Sequence, residues 1–536
     1  MTSSQFSSTE TLRNPGSSEN SATSSPNLKP HEKKDISLPS TPAESILNLE
    51  SQTKPEPPYH VFSRPRKLLI VCIVSFAAIF SPLSSNIYFP AIAEISHELG
   101  VSVSLATLTV TIYMIVQGIA PSFWGSFSDV LGRRIIFVGT FVVYIISNIL
   151  LAITTNYGEL MAFRALQAAG SAATISIGAG VIGDITTSAE RGSLIGIFGG
   201  VRMLGQGIGP VFGGILTNYL GFRSIFWCLV IASGISLLSI MFFLPETLRP
   251  IAGNGTVPLK GIYKPWIYSV VGQKDAKENS TPTEKNTKVT FKTVLAPLTF
   301  LSEKDVFITL FFGSIVYTVW SMVTSSTSAL FEDKYGLDSM EVGLTFLGNG
   351  IGCMTGSYTI GYLMDYNHKL TEREYCQQHN LPVDTRVNLK SHPDFPIEYA
   401  RMRNTWWITA IFVVCVAVYG VSLQTHLAVP IILQFIIAYG STAIFTINSA
   451  LVIDLYPGAS ASATAVNNLM RCLIGAAGVA AVQPIIDALT AEFAFVLLAG
   501  ITIAMVPLLM VEMKWGYKWR LERYERLQRS ADRVDS

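Results

Sequence analysis

Apolar residues are grouped along the chain into twelve stretches of roughly 18–23 residues, six on each side of a polar stretch at about 247–304. A helix of that length crosses the ~30 Å hydrocarbon core of a bilayer. The predicted spans are 68–89, 105–123, 135–153, 160–181, 194–216, 223–244, 306–329, 341–363, 405–423, 428–449, 463–485 and 493–513. The pattern therefore predicts an all-α membrane protein with 12 transmembrane helices.

The polar segments divide the chain into five parts. They predict a disordered cytoplasmic N-tail at 1–65, an N-terminal six-helix bundle at 66–246, a cytoplasmic central loop at 247–304, a C-terminal six-helix bundle at 305–513 and a cytoplasmic C-tail at 514–536. The N-tail is rich in Ser, Thr, Pro and Glu, so it cannot bury enough apolar surface to order itself.

Composition and charge agree with a polytopic membrane protein. Hydrophobic residues make up 49% of the chain and charged residues only 14%, which does not suit a soluble protein of this size. Of the 38 Lys and Arg residues, 33 fall in the tails and in the loops on the same side of the predicted membrane. Because basic residues stay in the cytoplasm, both termini are expected to be cytoplasmic.

The two halves carry polar residues at corresponding places. Each half has a Gly-x-x-x-Asp turn at the end of its second span, an Asp at the end of its fourth span and an Arg about eight residues inside its fifth. These are Gly125, Asp129, Asp184 and Arg202 in the first half, and Gly361, Asp365, Asp454 and Arg471 in the second. The repeat predicts two six-helix bundles with pseudo-two-fold symmetry and a substrate site between them near the midplane.

Three motifs reinforce this architecture. They are Gly125-x3-Asp129-x2-Gly132-Arg133-Arg134 after span 2, Arg164-x2-Gln167-x2-Gly170 in span 4, and Gly205-x3-Gly209-Pro210-x2-Gly213-Gly214 in span 5. These motifs make residues 68–513 resemble the major facilitator superfamily, and Leu-Pro-Glu246-Thr-Leu-Arg249 after span 6 strengthens the resemblance to a fungal subgroup. Within the superfamily, the chain is most similar to the fungal 12-span drug:proton antiporters of the quinidine-resistance group. The resemblance implies the major facilitator fold and transport by alternating access.

The resemblance also implies a cytoplasmic gate. Asp129 would lie near the positive dipole end of span 11, with Arg133 and Asp184 forming a relay that holds this side shut. Asp365 and Asp454 would be the counterparts in the second half, although no Arg follows Asp365 at the matching spacing. Val130 stands where the family usually carries a basic residue, which predicts a weaker gate. In the alternative interpretation, Arg133 and Arg134 only set the topology.

The glycines of span 5 predict close helix packing. Gly205, Gly209 and Gly213 fall at four-residue intervals on one helix face, which permits a neighbouring backbone to approach closely. Pro210 removes one backbone hydrogen bond and is expected to kink the helix. The resemblance assigns these residues, with Gly214, to an antiporter motif that seals the periphery, whereas generic helix packing is the alternative.

Three arginines lie within spans, where each costs ~2.5–3.5 kcal/mol by insertion scales. Arg164, Arg202 and Arg471 should therefore face the bundle interior or an aqueous cavity. Arg202 and Arg471 lie at the same depth, about 12 Å inside their spans. The resemblance ties Arg164 to proton coupling, and a purely structural role remains open for each of the three.

Aromatic and amide side chains within the spans are candidates for lining the cavity, and such linings suit amphipathic ligands. The candidates, together with Arg202 and Arg471, are Asn86, Tyr113, Gln117, Gln167, Tyr317, Trp320, Asn349, Gln434, Tyr439, Asn448 and Asn467. The sequence shows no Asp or Glu deep in a span, so proton coupling follows from the resemblance alone. A polycationic substrate would be repelled by the arginines.

The leading functional hypothesis is a secondary active, proton-driven exporter of amphipathic drugs or small organic compounds in the plasma membrane. The alternatives are a carrier of organic anions, weak acids or nutrients, and a sensor that resembles a transporter. No GxSxG, HExxH or P-loop pattern indicates an enzyme. The expected partners are the lipid bilayer, a small substrate and protons, with no other cofactor, no metal and no nucleic acid. The protein is expected to function as a monomer.

Overall fold

The structure is a computed structural model that describes residues 60–186, 188–272, 296–382, 392, 394–456 and 460–535. At 188–193, 271, 296–297, 460–463, 527 and 530–535 it describes the backbone alone. Most of the predicted N-tail, residues 1–59, lies outside the described residues. So does 273–295 of the predicted central loop.

Six long helices form the N-terminal bundle. They are α1 (Arg64–Asn86), α2 (Val103–Leu131), α3 (Arg133–Ile153), α4 (Tyr157–Ile185), α5 (Ser188–Leu220) and α6 (Arg223–Phe243). The first helix packs against α4, α5 and α6, while α3 packs against α4 and α6. Two short helices, Phe89–Ala91 and Ile92–Glu98, connect α1 to α2.

Six further helices form the C-terminal bundle. They are α7 (Lys304–Tyr335), α8 (Ser339–Gln378), α9 (Thr405–Ser422), α10 (Ala428–Leu455), and α11 and α12, the parts of the helical run Ser460–Asp535 before and after Thr490. Thr490 breaks that run because its backbone is non-helical, with φ 65 and ψ 160. The prediction of twelve spanning helices in two bundles is confirmed, and the described residues contain no β-strand.

Ten helical stretches of the described residues are long and apolar enough to cross a membrane, and the last of these holds both α11 and α12. The remaining helix, α8, is less apolar and extends well past its predicted end at 363. Its extension is stabilised by a buried row of Asn367, Thr371 and Tyr375, spaced one turn apart. Phe395 packs on Tyr375 with the ring centroids 5.5 Å apart. The polar stretch between the predicted spans at 341–363 and 405–423 is therefore partly helical.

The two bundles meet along two related helix pairs. Helix α2 packs on α11, and α5 packs on α8, and the pseudo-two-fold axis exchanges these pairs. We call the end of the bundles at which α1 begins, and at which Asp129 and Asp184 lie, the tail face. The other end is called the opposite face.

Contacts between the bundles at the opposite face are close. The rings of Phe89 and Phe346 stack with centroids 6.0 Å apart, and the hydroxyl of Ser328 donates to the carbonyl of Phe89 at 2.9 Å. At the tail face, by contrast, the side chains of Asp129 and Asp365 are 62% and 76% exposed. The opposite face is thus the side on which the described parts of the bundles close.

Candidate functional site

A central cavity lies between the bundles at the depth of Arg202 and Arg471. Its lining comes from α1, α2, α4 and α5 of one bundle and from α7, α10 and α11 of the other. The lining residues are Ser81, Pro82, Ser85, Asn86, Gln117, Ile175, Arg202, Met203, Gln206, Tyr317, Trp320, Ser441, Thr442, Phe445 and Arg471. The cavity therefore combines two cations with neutral amide, hydroxyl and aromatic groups.

Arg471 is held in place by α11 itself and by two aromatic rings. Its Nη2 donates to Oδ1 of Asn468 at 2.6 Å, and its Cζ lies 4.5 Å from the ring centroid of Tyr317 and 5.0 Å from that of Phe445. Aromatic faces attract a guanidinium through the ring quadrupole. The Nε of Arg471 is buried and has no hydrogen-bond partner among the described residues, so this donor is free for a ligand.

Arg202 faces Arg471 from the other bundle, and the two guanidinium groups repel each other electrostatically. The described lining contains no Asp or Glu that would neutralise them. Two unpaired cations in a site of low dielectric are unfavourable. The cavity thus has a net positive charge that an anionic ligand would neutralise.

Six of the candidates from the sequence line this cavity: Asn86, Gln117, Arg202, Tyr317, Trp320 and Arg471. The amide of Gln117 donates to the hydroxyl of Ser81 at 3.1 Å. The backbone carbonyl of Gln117 accepts from Asn468 of the other bundle at 3.0 Å. Gln117 therefore also takes part in the contact between α2 and α11.

Each of the other candidates has a hydrogen-bond partner within its own bundle. Tyr113 donates to the carbonyl of Ser81, Gln167 to Asn148, Gln434 to Tyr419, Asn448 to the carbonyl of Thr309, and Asn467 to Ser449. Asn349 accepts from Trp320 at 2.8 Å, behind the lining. The hydroxyl of Tyr439 lies 2.9 Å from that of Thr359, at an apolar groove separate from the cavity.

Several lining residues were not identified from the sequence. Gln206 follows Arg202 by one helical turn, so its position on the same face of α5 was available from the spacing alone. Ser441, Thr442 and Phe445 had no such signal, because polar and aromatic residues occur on several faces of α10 and several of its faces are buried.

Arg164 lies in a separate, enclosed site inside the N-terminal bundle. Its side chain is 0% exposed, and its Cζ lies 4.1 Å from the ring centroid of Tyr88 and 4.4 Å from that of Tyr113. Its Nη1 donates to Gln167 at 2.6 Å and to the carbonyl of Ser84 at 3.3 Å. Its Nε and Nη2 have no hydrogen-bond partner among the described residues. Aromatic rings and carbonyl oxygens, rather than a described carboxylate, surround this cation.

At the tail face, Arg133 joins the two acidic residues of the predicted gate. Its Nη1 lies 2.6 Å from Asp129, and its Nε lies 3.0 Å from Asp184. Asp184 is mostly buried, and the hydroxyl of Thr247 approaches it at 3.4 Å. The proximity of Asp129 to the start of span 11 stays a prediction.

Glu246, noted in the sequence only as part of a subgroup marker, caps the start of α3. Its carboxylate accepts from the backbone N–H groups of Arg133 and Arg134 at 2.9 and 3.1 Å. An anion at a helix N-terminus is favoured by both the free N–H groups and the dipole. A Cβ on Gly132 would come within 2.5 Å of this carboxylate, so the glycine of the motif makes room for it.

Arg134 has a different environment from Arg133. Its guanidinium donates to the carbonyls of Ile240, Met241 and Leu244 at the end of α6 and to that of Ile262 in the central loop. The structure thus places Arg134 as a clamp between α3, α6 and the loop.

The second half contains a matching charge cluster. Arg401, on the short helix Ile397–Met402, lies 2.8 Å from Asp454 and 4.0 Å from Asp365. No arginine follows Asp365 at the spacing that separates Asp129 from Arg133 in the first half. The structure supplies it instead from the segment before α9.

The glycine face of α5 contacts both α1 and α8. A Cβ on Gly205 would come within 2.8 Å of the carbonyl of Ile79, and one on Gly209 within 3.1 Å of the backbone nitrogen of Ile87. A Cβ on Gly213 would come even closer to the carbonyl of Ile87, and one on Gly214 would come even closer to the carbonyl of Ser339. Pro210 lies inside α5, and its carbonyl lies against Gly343 of α8. Gly125, in contrast, has space around it, with only the hydroxyl of Ser176 near its Cβ position at 4.0 Å.

Comparison with known proteins places this geometry in context. Residues 74–373 match the sequence profile of the Major Facilitator Superfamily. The chain is 72% identical to Citrate exporter 1 of Aspergillus niger over 90% of this chain and 92% of that one. It is 32% identical to MFS antiporter QDR2 of Candida albicans, over 86% and 91%. It is 30% identical to Quinidine resistance protein 1 of Saccharomyces cerevisiae, over 89% and 88%.

Among solved structures, the human organic anion transporter MFSD10 (TETRAN) aligns with a TM-score of 0.50, covering 83% of this chain and 99% of that chain. The sequence identity is 15%. At that level the likeness concerns the fold alone.

Proposed function

Because the chain belongs to the major facilitator superfamily, we propose that it exports citrate and similar small di- and tricarboxylates by alternating access. The observation that carries this proposal is the pair Arg202 and Arg471 in one cavity whose described lining contains no carboxylate. Guanidinium groups bind carboxylates through paired, charge-assisted hydrogen bonds. Two such groups suit a ligand with at least two carboxylates.

The rest of the lining suits the remaining groups of such a ligand. Asn86, Gln117 and Gln206 offer amide donors and acceptors, and Ser441 and Thr442 offer hydroxyls. These neutral groups bind a further carboxyl or a hydroxyl without adding charge. The proposal therefore favours polycarboxylates with additional polar groups over simple monocarboxylates.

The high identity with a citrate exporter over nearly the full length of both chains supports the same substrate and direction here. The concentration of basic residues in the tails and tail-face loops supports a cytoplasmic tail face. With the bundles closed at the opposite face, the site would receive its ligand from the cytoplasm. We place the protein in the plasma membrane, where export would serve to release the anion from the cell.

Export of amphipathic drugs is the second candidate function. It is favoured by the aromatic groups of Tyr317, Trp320 and Phe445 in the lining and by the identity with MFS antiporter QDR2 and Quinidine resistance protein 1. Cationic drugs fit the cavity poorly because they would meet two arginines. The charge of the best substrate thus separates the two candidates.

The test is transport of labelled citrate by purified protein in liposomes. Arg202→Gln and Arg471→Gln should each lower transport by about tenfold or more, since a hydrogen bond to a charged group contributes about 1.5–3 kcal/mol. Arg529→Gln removes the same charge at an exposed position far along α12 and should transport like the unmodified protein. Efflux of a hydrophobic cation that exceeds citrate efflux, and that survives both cavity substitutions, would favour the drug exporter instead.

A further inference from the structure

Glu512 of α12 is a buried acid that was not among the candidate residues identified from the sequence. Its side chain is 0% exposed, and neither carboxyl oxygen has a hydrogen-bond partner among the described residues. The residue lies within the predicted last span, close to its tail-face end. A carboxylate that is buried without a partner is strongly unfavourable.

Two arginines lie in the same cluster, but each is already paired with another acid. Arg523 donates to both oxygens of Asp305 at 2.9 and 2.7 Å. Arg520 donates to both oxygens of Glu398 at 2.7 and 3.2 Å. Arg520 binds Glu398 through the fork of Nε and Nη2, whereas Arg523 uses Nη1 alone and its Nη2 has no hydrogen-bond partner among the described residues. Neither arginine donates to Glu512, whose two carboxyl oxygens have no partner there.

The charged groups around Glu512 come from three elements. Asp305 lies at the start of α7, Glu398 lies on the short helix before α9, and Arg520 and Arg523 follow on α12 itself. Three carboxyl groups therefore share two guanidinium groups. One proton makes this cluster neutral, because a carboxylate at Glu512 becomes a carboxylic acid when it binds that proton.

The immediate surroundings of Glu512 suit a neutral carboxyl group. The hydroxyl of Thr309 lies next to it and has no hydrogen-bond partner among the described residues, so its oxygen is able to accept from a protonated Glu512. A Cβ on Gly516 would come within 2.6 Å of Oε1 of Glu512 and within 3.2 Å of Cγ of Glu398. Glu512 and Glu398 therefore lie next to each other at Gly516, where α12 has no side chain.

We propose that Glu512 is the proton-binding site of this transporter and that the proton it binds controls the tail-face charge cluster of the C-terminal bundle. The link is the short helix Ile397–Met402. It carries both Glu398, in the buried cluster, and Arg401, which contacts Asp365 and Asp454. Loss of the proton adds a negative charge beside Asp305 and Glu398. Because this charge repels Glu398, it disfavours packing of the short helix against α12 and so weakens the contacts of Arg401.

This proposal goes beyond citrate export and gives proton coupling a location outside the substrate cavity. The described lining of that cavity has no acid, so a proton carried there would need a group that the lining lacks. In a bundle that rocks as a unit, a proton site need not touch the substrate. It needs only to favour one arrangement of the tail face over the other.

The first test uses a readout that does not depend on any substrate. Infrared difference spectra of the full-length protein, recorded during a pH change, should show the carbonyl stretch of a buried carboxylic acid. Glu512→Gln should remove that band, and Glu522→Gln, on the exposed side of α12, should retain it. A band that is unchanged in folded Glu512→Gln protein, or no band in the unmodified protein, would refute the proposal.

The second test is the pH dependence of citrate efflux. The unmodified protein and Glu522→Gln should change several-fold in efflux rate between acidic and alkaline pH on the tail side. Glu512→Gln, which mimics the protonated acid, should show nearly the same rate at both. If Glu512→Gln proves unstable, Glu512→Asp keeps a titratable group and should shift the profile rather than abolish it. An unshifted profile in either stable variant would overturn the proposal.

Discussion

The Nε of Arg401 lies 2.8 Å from Oδ2 of Asp454. This contact repeats, in the second bundle, the 3.0 Å contact between Arg133 and Asp184 in the first. The two arginines come from different places relative to the repeat, since Arg133 follows Asp129 by one helical turn whereas Arg401 precedes α9. The repeated feature is therefore the charge cluster itself rather than the spacing of its residues.

Replacing Arg401 tests whether the second cluster matters for transport. Arg401→Ala leaves the half-buried Asp454 without its cation, so we expect transport to fall by about tenfold, in line with about 1.5–3 kcal/mol for a charged hydrogen bond. The matched control is Arg403→Ala. Arg403 lies two residues after Arg401, and its substitution removes an ion pair with Glu374 of α8. Citrate efflux normalised to protein amount measures both, and equal rates for the two variants would contradict the prediction.

The two acids of the first cluster should differ in their effect. Asp184 is 16% exposed and Asp129 is 62% exposed, so water screens the pair of Arg133 with Asp129 strongly and the pair of Arg133 with Asp184 much less. Asp184→Asn should lower the melting temperature of the purified protein, whereas Asp129→Asn should reduce transport at nearly normal abundance. Unimpaired efflux from Asp129→Asn would remove this residue from the gate.

The glycine face of α5 predicts position-dependent tolerance to alanine. A methyl group at Gly213 meets the carbonyl of Ile87, while one at Gly200 has no atom within 4 Å. Overpacking of this kind costs about 1–3 kcal/mol, so Gly213→Ala should unfold at a lower temperature and Gly200→Ala should not. Thermal unfolding of both purified variants decides this, and a stable Gly213→Ala protein would mean that α1 and α5 separate easily.

His60 gives a pH dependence outside the membrane. Burial, with the nearby charges of Lys67, Arg249 and Arg66, lowers the pKa of His60 from 6.5 to about 4. Its neutral Nδ1 accepts from the backbone N–H of Phe62 at 3.2 Å. Because the folded pKa is lowered, this stabilisation is complete above 6.5 and is lost as pH falls towards 4.

Hydrogen exchange at residues 60–63, corrected for the intrinsic rate, measures that loss. The exchange of Val61, which donates to the carbonyl of Asn254 at 3.0 Å, should accelerate across the same pH range. His60→Leu removes the titrating group and should make protection independent of pH. The same acceleration in His60→Leu would show that another group is responsible.

Arg164 should act through its fixed surroundings. The structure surrounds it with two tyrosine rings, a carbonyl and Gln167, so Arg164→Gln should lower the stability of the N-terminal bundle, and Arg164→Lys should retain part of it because a cation remains over the rings. Melting temperatures of the two variants compare these effects. If Arg164→Gln is fully stable but its efflux no longer responds to pH, Arg164 belongs to the proton pathway suggested by the family resemblance.

The sequence predicted what depends on local pattern. Span lengths specified twelve helices, and the equal depth of Arg202 and Arg471 indicated a shared cavity. Features that depend on tertiary contact were missed: Arg401 reaches Asp365 only through a turn of the chain, and Glu512 is buried by helices distant in sequence. The position of an amide side chain along a helix does not show whether it lines the cavity or forms a hydrogen bond within one bundle. Gln434 is an example of the second case.

The placement of Arg202 and Arg471 on different bundles has a consequence for the kinetics of a transport cycle. When the cavity is empty, any motion that brings the bundles together pushes two like charges towards each other. A bound dianion reverses the sign of that interaction and draws both bundles onto itself. The loaded carrier would then reorient faster than the empty one, so anion supplied on the far side would speed release through exchange, and the return of the empty carrier would limit net flux.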